Sequence, residues 1–301
     1  MLRIAYHKIY AHPLPKGHRF PMEKYELIPG QLLHEGSIEP NQLFAPEPCE
    51  LDTVLLTHQR EYVDALLTQQ LDAAHVRRIG FPLSPQLVQR ELVITQGTID
   101  CCKYALQHGV ALNVAGGTHH AFANKGEGFC LLNDMAVAAN YLLKHNMAQQ
   151  ILIVDLDVHQ GNGTANIFSN DHRVFTFSMH GGHNYPFHKE KSDLDVPLPN
   201  GIGDEEYLGL LREHLHELLA QVRPDFVFYL SGVDVLHTDK YGKLNLTMKG
   251  CQQRDEMVLY ALASNNIPCA IAMGGGYSPD IRHIVEAHCQ TFRTAAKAYH
   301  L

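Results

Sequence analysis

The chain has 301 residues, and 24 Lys and Arg against 32 Asp and Glu give a formal net charge of −8. Hydrophobic residues make up 45% and charged residues 19%, a globular balance that excludes global disorder, collagen and coiled coil. The acidic total argues against a nucleic-acid partner, which usually binds a basic face. No apolar run approaches the roughly 18 residues of a membrane span, so no membrane partner is expected.

The cysteines and the N-terminus favour a reducing, cytoplasmic location. Seven cysteines without paired C-x-x-C spacing predict neither a disulfide framework nor a cysteine-based metal site. The first residues are typical of a strand rather than of a cleaved signal peptide. The chain also holds 21 histidines, and only their positions can separate metal chemistry from compositional drift.

Short apolar runs alternate with longer amphipathic ones along the chain. Six short runs are predicted strands: Leu2–Tyr6, Ala111–Ala115, Ile151–Asp157, Val174–Met179, Phe226–Ser231 and Ala270–Met273. Several of them are apolar at consecutive positions, as expected when both faces of a sheet are covered. The alternation predicts an α/β fold with a doubly wound, mostly parallel sheet and helices on both faces.

Two of the intervening helices have recognisable ends. Ser84 is a predicted N-cap before Pro85, and Gly109 is the predicted stop of the same helix. The second helix begins at Asp204, where acidic residues suit the positive helix start, and Pro224 ends it.

Polar residues follow the predicted strands at the edge where open α/β sheets bind their ligands. They occur in five segments: Gly116–His120, Asp155–Gly163, Ser178–His180, Ser231–Asp234 and Gly274–Tyr277. Because the carboxyl ends of parallel strands lie at one edge, these segments would bring acids, histidines and a tyrosine into a single crevice.

Asp157, His159 and Asp234 are the candidate metal ligands. In an extended chain the first two side chains, two positions apart, point to the same side. Asp234 comes from another strand end and can complete a set of three protein ligands. Two carboxylates and an imidazole with an open position describe a catalytic metal site, although an isolated D-x-H is usually incidental.

His119 and His120 follow two glycines that let the backbone approach a ligand closely. Asp155 and Asn162 are available to fix the tautomers of the two rings. A carboxylate raises the pKa of a histidine whereas an amide does not, so the two histidines would differ in protonation. Acid and base roles are divided in this way in many active sites.

Tyr277 follows three glycines, and a phenol on such a flexible loop can reach a developing oxyanion. The alternative is an ordinary half-buried loop aromatic. The glycine run lacks both the G-x-G-x-x-G spacing and the lysine of a P-loop, so no nucleotide site is expected.

Several segments closely resemble, in the same order, the motifs of the histone deacetylase superfamily. They are His58–Val63, Gly116–Ala121, Gly128–Asp134, Asp155–His159 and Gly274–Tyr277. The resemblance covers nearly the whole chain. It implies an arginase-like fold, a single catalytic domain over residues 1–301, and a zinc-dependent amidohydrolase that acts on acyl-lysine, whether acetyl or longer.

Phe20–Tyr25 and His183–Pro186 look most like class IV enzymes and their bacterial relatives. Asn162 stands where class I members carry Asp, and class II and class IV members resemble this chain there. The resemblance therefore favours class IV and the bacterial proteins over class I.

The resemblance also implies individual roles. Asp157, His159 and Asp234 would hold one Zn²⁺. His119 and His120 would be the tandem histidines, oriented by Asp155 and Asn162 respectively. On that assignment we expect a charged His119, and a His120 that titrates near its ordinary pKa of about 6.5.

Further implied roles concern the oxyanion, the substrate tunnel and a second cation. Tyr277 would bind the oxyanion. The implied tunnel residues are Gly128, Phe129, Tyr185 and, as an inner-channel arginine, Arg19. A K⁺ ion would be bound by backbone carbonyls of Asp155, Asp157 and His159 with Ser178 and Met179.

Three rival functions remain open at this point. An acetylpolyamine amidohydrolase, acting on a small acylated amine, shares nearly every motif, and acids at the pocket mouth would favour it. A dimanganese ureohydrolase needs further acids, but Val235 and Leu236 follow Asp234. A catalytically inactive acyl-lysine-binding protein usually lacks a ligand or the tyrosine, and this chain retains them all.

Overall fold

An eight-stranded sheet organises the chain in the computed structural model, which describes residues 1–301. The strands are β1 Arg3–Ala5, β2 Leu43–Phe44, β3 Val110–Asn113, β4 Ile151–Asp155, β5 Val174–Gly181, β6 Leu194–Leu198, β7 Phe226–Leu230 and β8 Cys269–Ala272. Their order is β2-β1-β3-β8-β7-β4-β5-β6, and every pairing is parallel. The predicted α/β class and the parallel sheet are confirmed.

Ten α-helices surround the sheet. They are α1 Lys24–His34, α2 Leu51–Val54, α3 Arg60–Leu67, α4 Ala73–Ile79, α5 Pro85–His108, α6 Asp134–Lys144, α7 Asn162–Phe168, α8 Asp204–Val222, α9 Met248–Ser264 and α10 Ile281–Ala298. Strands β4 and β7 are buried at every position, and alternate side chains of a strand point to opposite faces. Both faces of the central sheet are therefore covered. No helix combines the length and apolar composition that a membrane crossing requires.

The ends predicted from sequence for two helices are confirmed. The Ser84 hydroxyl accepts a hydrogen bond from the Leu87 N–H at 3.1 Å, and α5 stops before Gly109, whose φ is +91°. Helix α8 begins at Asp204 and ends before Arg223, which adopts the left-handed conformation. A residue in that conformation ends the helical hydrogen-bond pattern, as glycine usually does.

Six strands match the predictions to within two residues at each end, and two do not appear in them. The unpredicted strands, β2 and β6, lie at the two edges of the sheet. Strand β2 has only two residues, and β6 mixes exposed with buried positions. Neither forms the continuous apolar run by which a central strand is recognised.

The sheet order explains where the polar segments meet. Strands β3, β8, β7 and β4 are consecutive neighbours in the middle of the sheet. The segments Gly116–His120, Gly274–Tyr277, Ser231–Asp234 and Asp155–Asn162 follow those four strands. Four adjacent strand ends thus deliver the polar side chains to one crevice, above a continuous core of 84 buried apolar residues.

Candidate active site

Asp157, His159 and Asp234 form a buried cluster at the ends of β4 and β7. Nδ1 of His159 lies 3.0 Å from Oδ1 of Asp157 and 3.2 Å from Oδ2 of Asp234. One ligand atom from each residue lies within 4.8 Å of the others. Oδ2 of Asp234 is buried and accepts no hydrogen bond, which is costly unless a cation satisfies it. This donor set fits a divalent metal such as zinc.

A bend in the backbone, and not an extended strand, brings Asp157 and His159 together. Strand β4 ends at Asp155, and residues 157–159 form a bend. The argument from strand alternation is therefore wrong for this pair. The bend is held by the Asp157 carboxylate, which accepts a hydrogen bond from the His159 N–H at 2.9 Å.

Neighbouring backbone groups fix both carboxylates. Asp157 also accepts a hydrogen bond from the Gly275 N–H at 2.8 Å, and Asp234 accepts one from the Val158 N–H at 2.9 Å. A Cβ atom at Gly275 would collide with the Asp234 carboxylate, so glycine is required for this close approach. The ligand oxygens are thus positioned before any metal binds.

The electrostatics of the cluster favour a bound positive charge. Burial lowers the pKa of His159, but the nearby carboxylates of Asp157 and Asp234 outweigh burial and raise it to about 10. Burial and repulsion from Asp157 raise the pKa of Asp234 to about 7. The two carboxylates repel each other in a buried site, and a divalent cation would relieve that repulsion better than a proton on His159.

The structure brings each tandem histidine to its expected partner. The Nδ1–H of His119 donates to Oδ2 of Asp155, and that of His120 donates to Oδ1 of Asn162, both at 2.7 Å. The two ring centres are 4.1 Å apart. Because Oδ1 of Asn162 only accepts, His120 carries its proton on Nδ1 and keeps Nε2 as a proton acceptor when neutral.

The two histidines have opposite pKa shifts. Burial lowers the pKa of His119, but the charge and hydrogen bond of Asp155 outweigh burial and raise it. Burial, followed by the charges of His119 and His159, holds the pKa of His120 well below its ordinary value. The expectation that His120 titrates near its ordinary value is therefore wrong, although the predicted difference between the two rings is present.

Glu127 adds a further residue to the hydrogen-bond chain from His120 to Asn162. Nδ2 of Asn162 donates to Oε1 of Glu127 at 2.7 Å, and the Tyr185 hydroxyl donates to the same oxygen at 2.8 Å. This contact fixes which end of the Asn162 amide faces His120. Glu127 was not among the predicted site residues. Its position directly before the Gly128 motif is a sequence signal that could have identified it.

The loop that carries Tyr277 is anchored rather than flexible. The Tyr277 N–H donates to Oδ2 of Asp239 at 2.6 Å, and Asp239 also accepts from the N–H groups of Tyr241 and Gly242. Burial, followed by the charges of two nearby aspartates, raises the pKa of the Tyr277 phenol well above its ordinary value. The phenol therefore keeps its proton and remains a hydrogen-bond donor.

Lys24 also contacts the loop that carries Tyr277. Its buried ammonium donates to the Gly274 carbonyl at 2.8 Å and lies 5.5 Å and 5.4 Å from the ring centres of Phe20 and Tyr25. Burial lowers the pKa of Lys24 to about 8, although nearby carboxylates oppose that shift. No sequence motif assigns a role to this lysine.

Arg254 ties together the two strand ends that bear the candidate ligands. Its fully buried guanidinium donates to the carbonyls of Leu156, Ser231 and Gly232, which adjoin the ends of β4 and β7. Asp255 neutralises it through an ion pair of 2.8 Å. Neither Arg254 nor Asp255 was predicted as a site residue, because nothing near them in the sequence suggests a contact with the site.

Two connected cavities meet at the cluster. The inner one has a volume of about 40 Å³, and the outer one, about 340 Å³. Residues that line both are His120, Gly128, Phe129, His159 and Tyr277. The candidate catalytic groups therefore lie at the junction of a small buried space with a larger open one.

The predicted tunnel residues line the outer cavity. Gly128 has a φ of +56°, and a Cβ there would press on the His120 ring, while Tyr185 packs 5.0 Å from that ring. Arg19 also lies in the outer cavity, so its expected place in an inner channel is wrong. Arg90 lines the inner cavity instead, and it pairs with Glu91.

The residues of the expected K⁺ site are neighbours in the sheet. Asp155 pairs with Ser178 in the β4–β5 register, Met179 follows Ser178, and Asp157 and His159 lie two and four residues after Asp155. The arrangement brings the named residues together, and potassium binding there stays a prediction.

The parallel eight-stranded sheet with helices around it is an arginase-like α/β fold. A family model described as the histone deacetylase domain matches residues 18–292, and the chain belongs to the histone deacetylase family. Membership in this family identifies the protein as a deacetylase-type hydrolase.

Individual proteins and a solved structure are similar to this chain. An uncharacterized protein of Picosynechococcus sp. is 46% identical over 98% of this chain and 99% of its own length. Histone deacetylase 2 of Arabidopsis thaliana is 28% identical over 90% of this chain and 73% of its own length. The crystal structure of an HDAC homologue complexed with SAHA has the same fold, with a TM-score of 0.85 at 24% identity, covering 99% of this chain and 84% of the other.

Proposed function

We propose that this protein is a zinc-dependent deacylase that hydrolyses the amide of a short-chain acyl-lysine to free lysine and a carboxylate. The observation that carries the proposal is the junction of the two cavities. There the Asp157–His159–Asp234 cluster, two histidines of opposite pKa shift and an anchored tyrosine face one space. Membership in the histone deacetylase family supports the general class of reaction.

Asp157, His159 and Asp234 would hold a single Zn²⁺ ion. When bound, zinc polarises a carbonyl and lowers the pKa of a water molecule. The buried Asp234 oxygen without a hydrogen bond supports this ligand set. The apolar Val235 and Leu236 after Asp234 offer no ligands for a second metal, which disfavours the ureohydrolase reading. Potassium at the β4–β5 strand ends remains part of the proposal.

His120 acts as the general base in this proposal. Its lowered pKa keeps the ring neutral, and its Nε2 can accept a proton from the attacking water. The same nitrogen then delivers that proton to the leaving lysine amine. His119 stays charged beside Asp155 and supplies a fixed positive charge. The Tyr277 hydroxyl donates a hydrogen bond to the oxyanion of the tetrahedral intermediate.

The cavity volumes support a short acyl group. A cavity needs a volume of roughly 10–15 Å³ to hold one water molecule, so the inner cavity of about 40 Å³ holds a group of only a few heavy atoms. A peptide or protein cannot enter that space. The acyl group therefore occupies the inner cavity, and the amine-bearing half of the substrate lies in the outer one.

The outer cavity argues against the acetylpolyamine alternative. Its charged lining residues are Arg19 and Arg78, and no carboxylate lines it. A polyamine carries several positive charges, which these arginines would repel. An inactive binding protein is disfavoured because the three ligands, both histidines and Tyr277 are all present.

The remaining parts of the proposal concern the extent of the domain, the deacetylase class and the cellular location. We infer one catalytic domain over residues 1–301, which a single connected core supports. The class IV assignment rests on the segment resemblances. A cytoplasmic location is supported by seven cysteines that are all unpaired and buried.

Hydrolysis of a substrate panel tests this function. Purified protein loaded with Zn²⁺ is given peptides with acetyl-, butyryl-, octanoyl- and myristoyl-lysine, and acetylputrescine and acetylspermidine. We expect the acetyl peptide to have the highest kcat/KM, with carboxylate and free lysine released in equal amounts. Faster hydrolysis of the polyamines would favour the alternative, and tight peptide binding without hydrolysis would indicate a binding protein.

A further inference from the structure

Two arginines line the outer cavity without any acidic partner. Arg19 and Arg78 are exposed, and neither side chain makes an ion pair or a hydrogen bond within the chain. Three other surface arginines are paired: Arg173, Arg282 and Arg293 lie within 2.7 Å of carboxylate oxygens. Arg60, Arg77, Arg212 and Arg223 are also exposed and unpaired, but only Arg19 and Arg78 line this cavity, which therefore presents two free guanidinium groups.

Aromatic rings hold the Arg19 guanidinium beside the tunnel. Its central carbon lies 4.9 Å from the ring centre of Phe129 and 5.7 Å from that of Tyr241. Such cation–π contacts use the face of the guanidinium plane. The N–H edges stay free, and they match the two oxygens of a carboxylate.

The surroundings of the two arginines are positive as well. Lys240 lies 5.6 Å from the Tyr241 ring centre, and Lys189 and Lys243 donate to backbone carbonyls of the 183–186 segment. The nearby carboxylates are engaged: Glu127 by Asn162 and Tyr185, and Asp239 by three backbone N–H groups. A chain of net charge −8 thus has a basic rim around its cleft.

We propose that this rim binds a carboxylate on the amine-bearing half of the substrate. The enzyme would then be selective for acyl-lysine that has a carboxylate close to it. The inference rests on the proposed function, which puts the acyl group in the inner cavity. The carboxylate has two possible sources in an acyl-lysine substrate. One is the α-carboxylate of a free or C-terminal acyl-lysine, and the other is the side chain of a neighbouring Asp or Glu.

Matched substrates test the selectivity and separate the two sources. One set is an acetyl-lysine peptide whose flanking residues are Asp, Ala or Lys, and the other is Nε-acetyl-lysine against its amide. We expect the acidic member of at least one set to exceed the neutral one in kcat/KM by about five- to tenfold. The lysine-flanked peptide should be the poorest substrate.

Arginine variants link that preference to the rim. Arg19→Gln and Arg78→Gln should each reduce the ratio of kcat/KM between acidic and neutral peptides, and the double variant should bring it near one. Arg77→Gln is the matched control, because Arg77 is exposed on the same helix as Arg78 but does not line the cavity. The control should keep the wild-type ratio.

A binding measurement keeps this inference distinct from the proposed function. Fluorescence anisotropy reports the Kd of fluorescein-labelled acidic, neutral and basic acetyl-lysine peptides for wild type and the arginine variants. If no acyl-lysine is hydrolysed, the proposed function fails, and the order of Kd values still tests the rim. Equal kcat/KM and Kd across the charge series, or ratios that the arginine variants leave unchanged, would overturn the inference.

Discussion

The base of the cleft and its rim are built in different ways. At the base, each candidate catalytic side chain is buried or half-buried and held by neighbours, as His119 is by Asp155 and His120 by Asn162. At the rim, Arg19 and Arg78 are exposed and unpaired, and Phe187 leaves 85% of its surface in solvent. Groups fixed in advance serve a reaction, whereas free charges on a rim serve to select what enters.

This contrast predicts that the effects of substitutions fall steeply from base to rim. The largest effect should come from Asp234→Ala, which removes one of three ligands. We expect metal content near zero and a loss of kcat/KM of roughly 10⁴ or more, since metal chemistry supplies several kcal/mol of the rate enhancement. Elemental analysis and acetate release measure the two quantities.

Asp171→Ala is the control for that variant, because Asp171 pairs only with the exposed Arg173. It should keep the metal and the activity of the wild type. An Asp234→Ala protein that retains both would mean that the cluster is not the metal site.

The next effect separates two adjacent residues at the base. His120→Ala should lower kcat by roughly 10²–10⁴, as for a positioned general base, and by more than His119→Ala does. Both variants must be compared at equal metal content. A greater loss in His119→Ala would reverse the proposed roles.

The partner of His120 provides a pH test of the same assignment. In Asn162→Asp a carboxylate replaces the amide, and it raises the pKa of His120 by stabilising the charged ring. The base must be neutral to accept a proton, so the acidic limb of the kcat/KM profile should move to higher pH. An acidic limb that stays in place would argue against His120 as the base.

Tyr277→Phe keeps the ring and removes one donor. We expect kcat to fall by roughly 10²–10³ with little change in KM, because the hydroxyl acts on the transition state. Steady-state kinetics with the acetyl-lysine peptide separate the two constants. An unchanged kcat would reduce Tyr277 to a packing residue.

Lys24→Met should have a smaller effect, because Lys24 acts through the Tyr277 loop. Loss of one hydrogen bond to Gly274 should lower kcat by roughly tenfold, the equivalent of about 1.4 kcal/mol, with KM nearly unchanged. Lys144→Met, an exposed position at the end of α6, is the control. Equal kinetics in both variants would show that the loop does not depend on Lys24.

The candidate residues at the base of the cleft could be named from the sequence because they follow strands in short motifs. The ligand set and the histidine partners were all named from those motifs. The bend at residues 157–159 was not predicted. There the Asp157 carboxylate accepts a hydrogen bond from the His159 N–H, and this contact replaces the expected extended chain. The histidine pKa values also depend on burial and on charges from other strands, which a motif does not contain.

The supporting groups and the rim could not be predicted for a different reason. Lys24 reaches a carbonyl 250 positions away, and Arg254 reaches one 98 positions away. Whether Arg19 is paired or free, and which cavity it enters, depends on which acids the fold brings near it. Sequence patterns record local periodicity, and they do not record such long-range pairing.

Metal titration with a kinetic readout tests the central claim most directly. Metal-free protein is titrated with Zn²⁺ while acetate release from an acetyl-lysine peptide is recorded, and bound metal is measured in parallel. We predict that activity rises in proportion to bound zinc and saturates at one ion per chain. Activity that needs two ions per chain, or that is the same without any metal, would contradict the account.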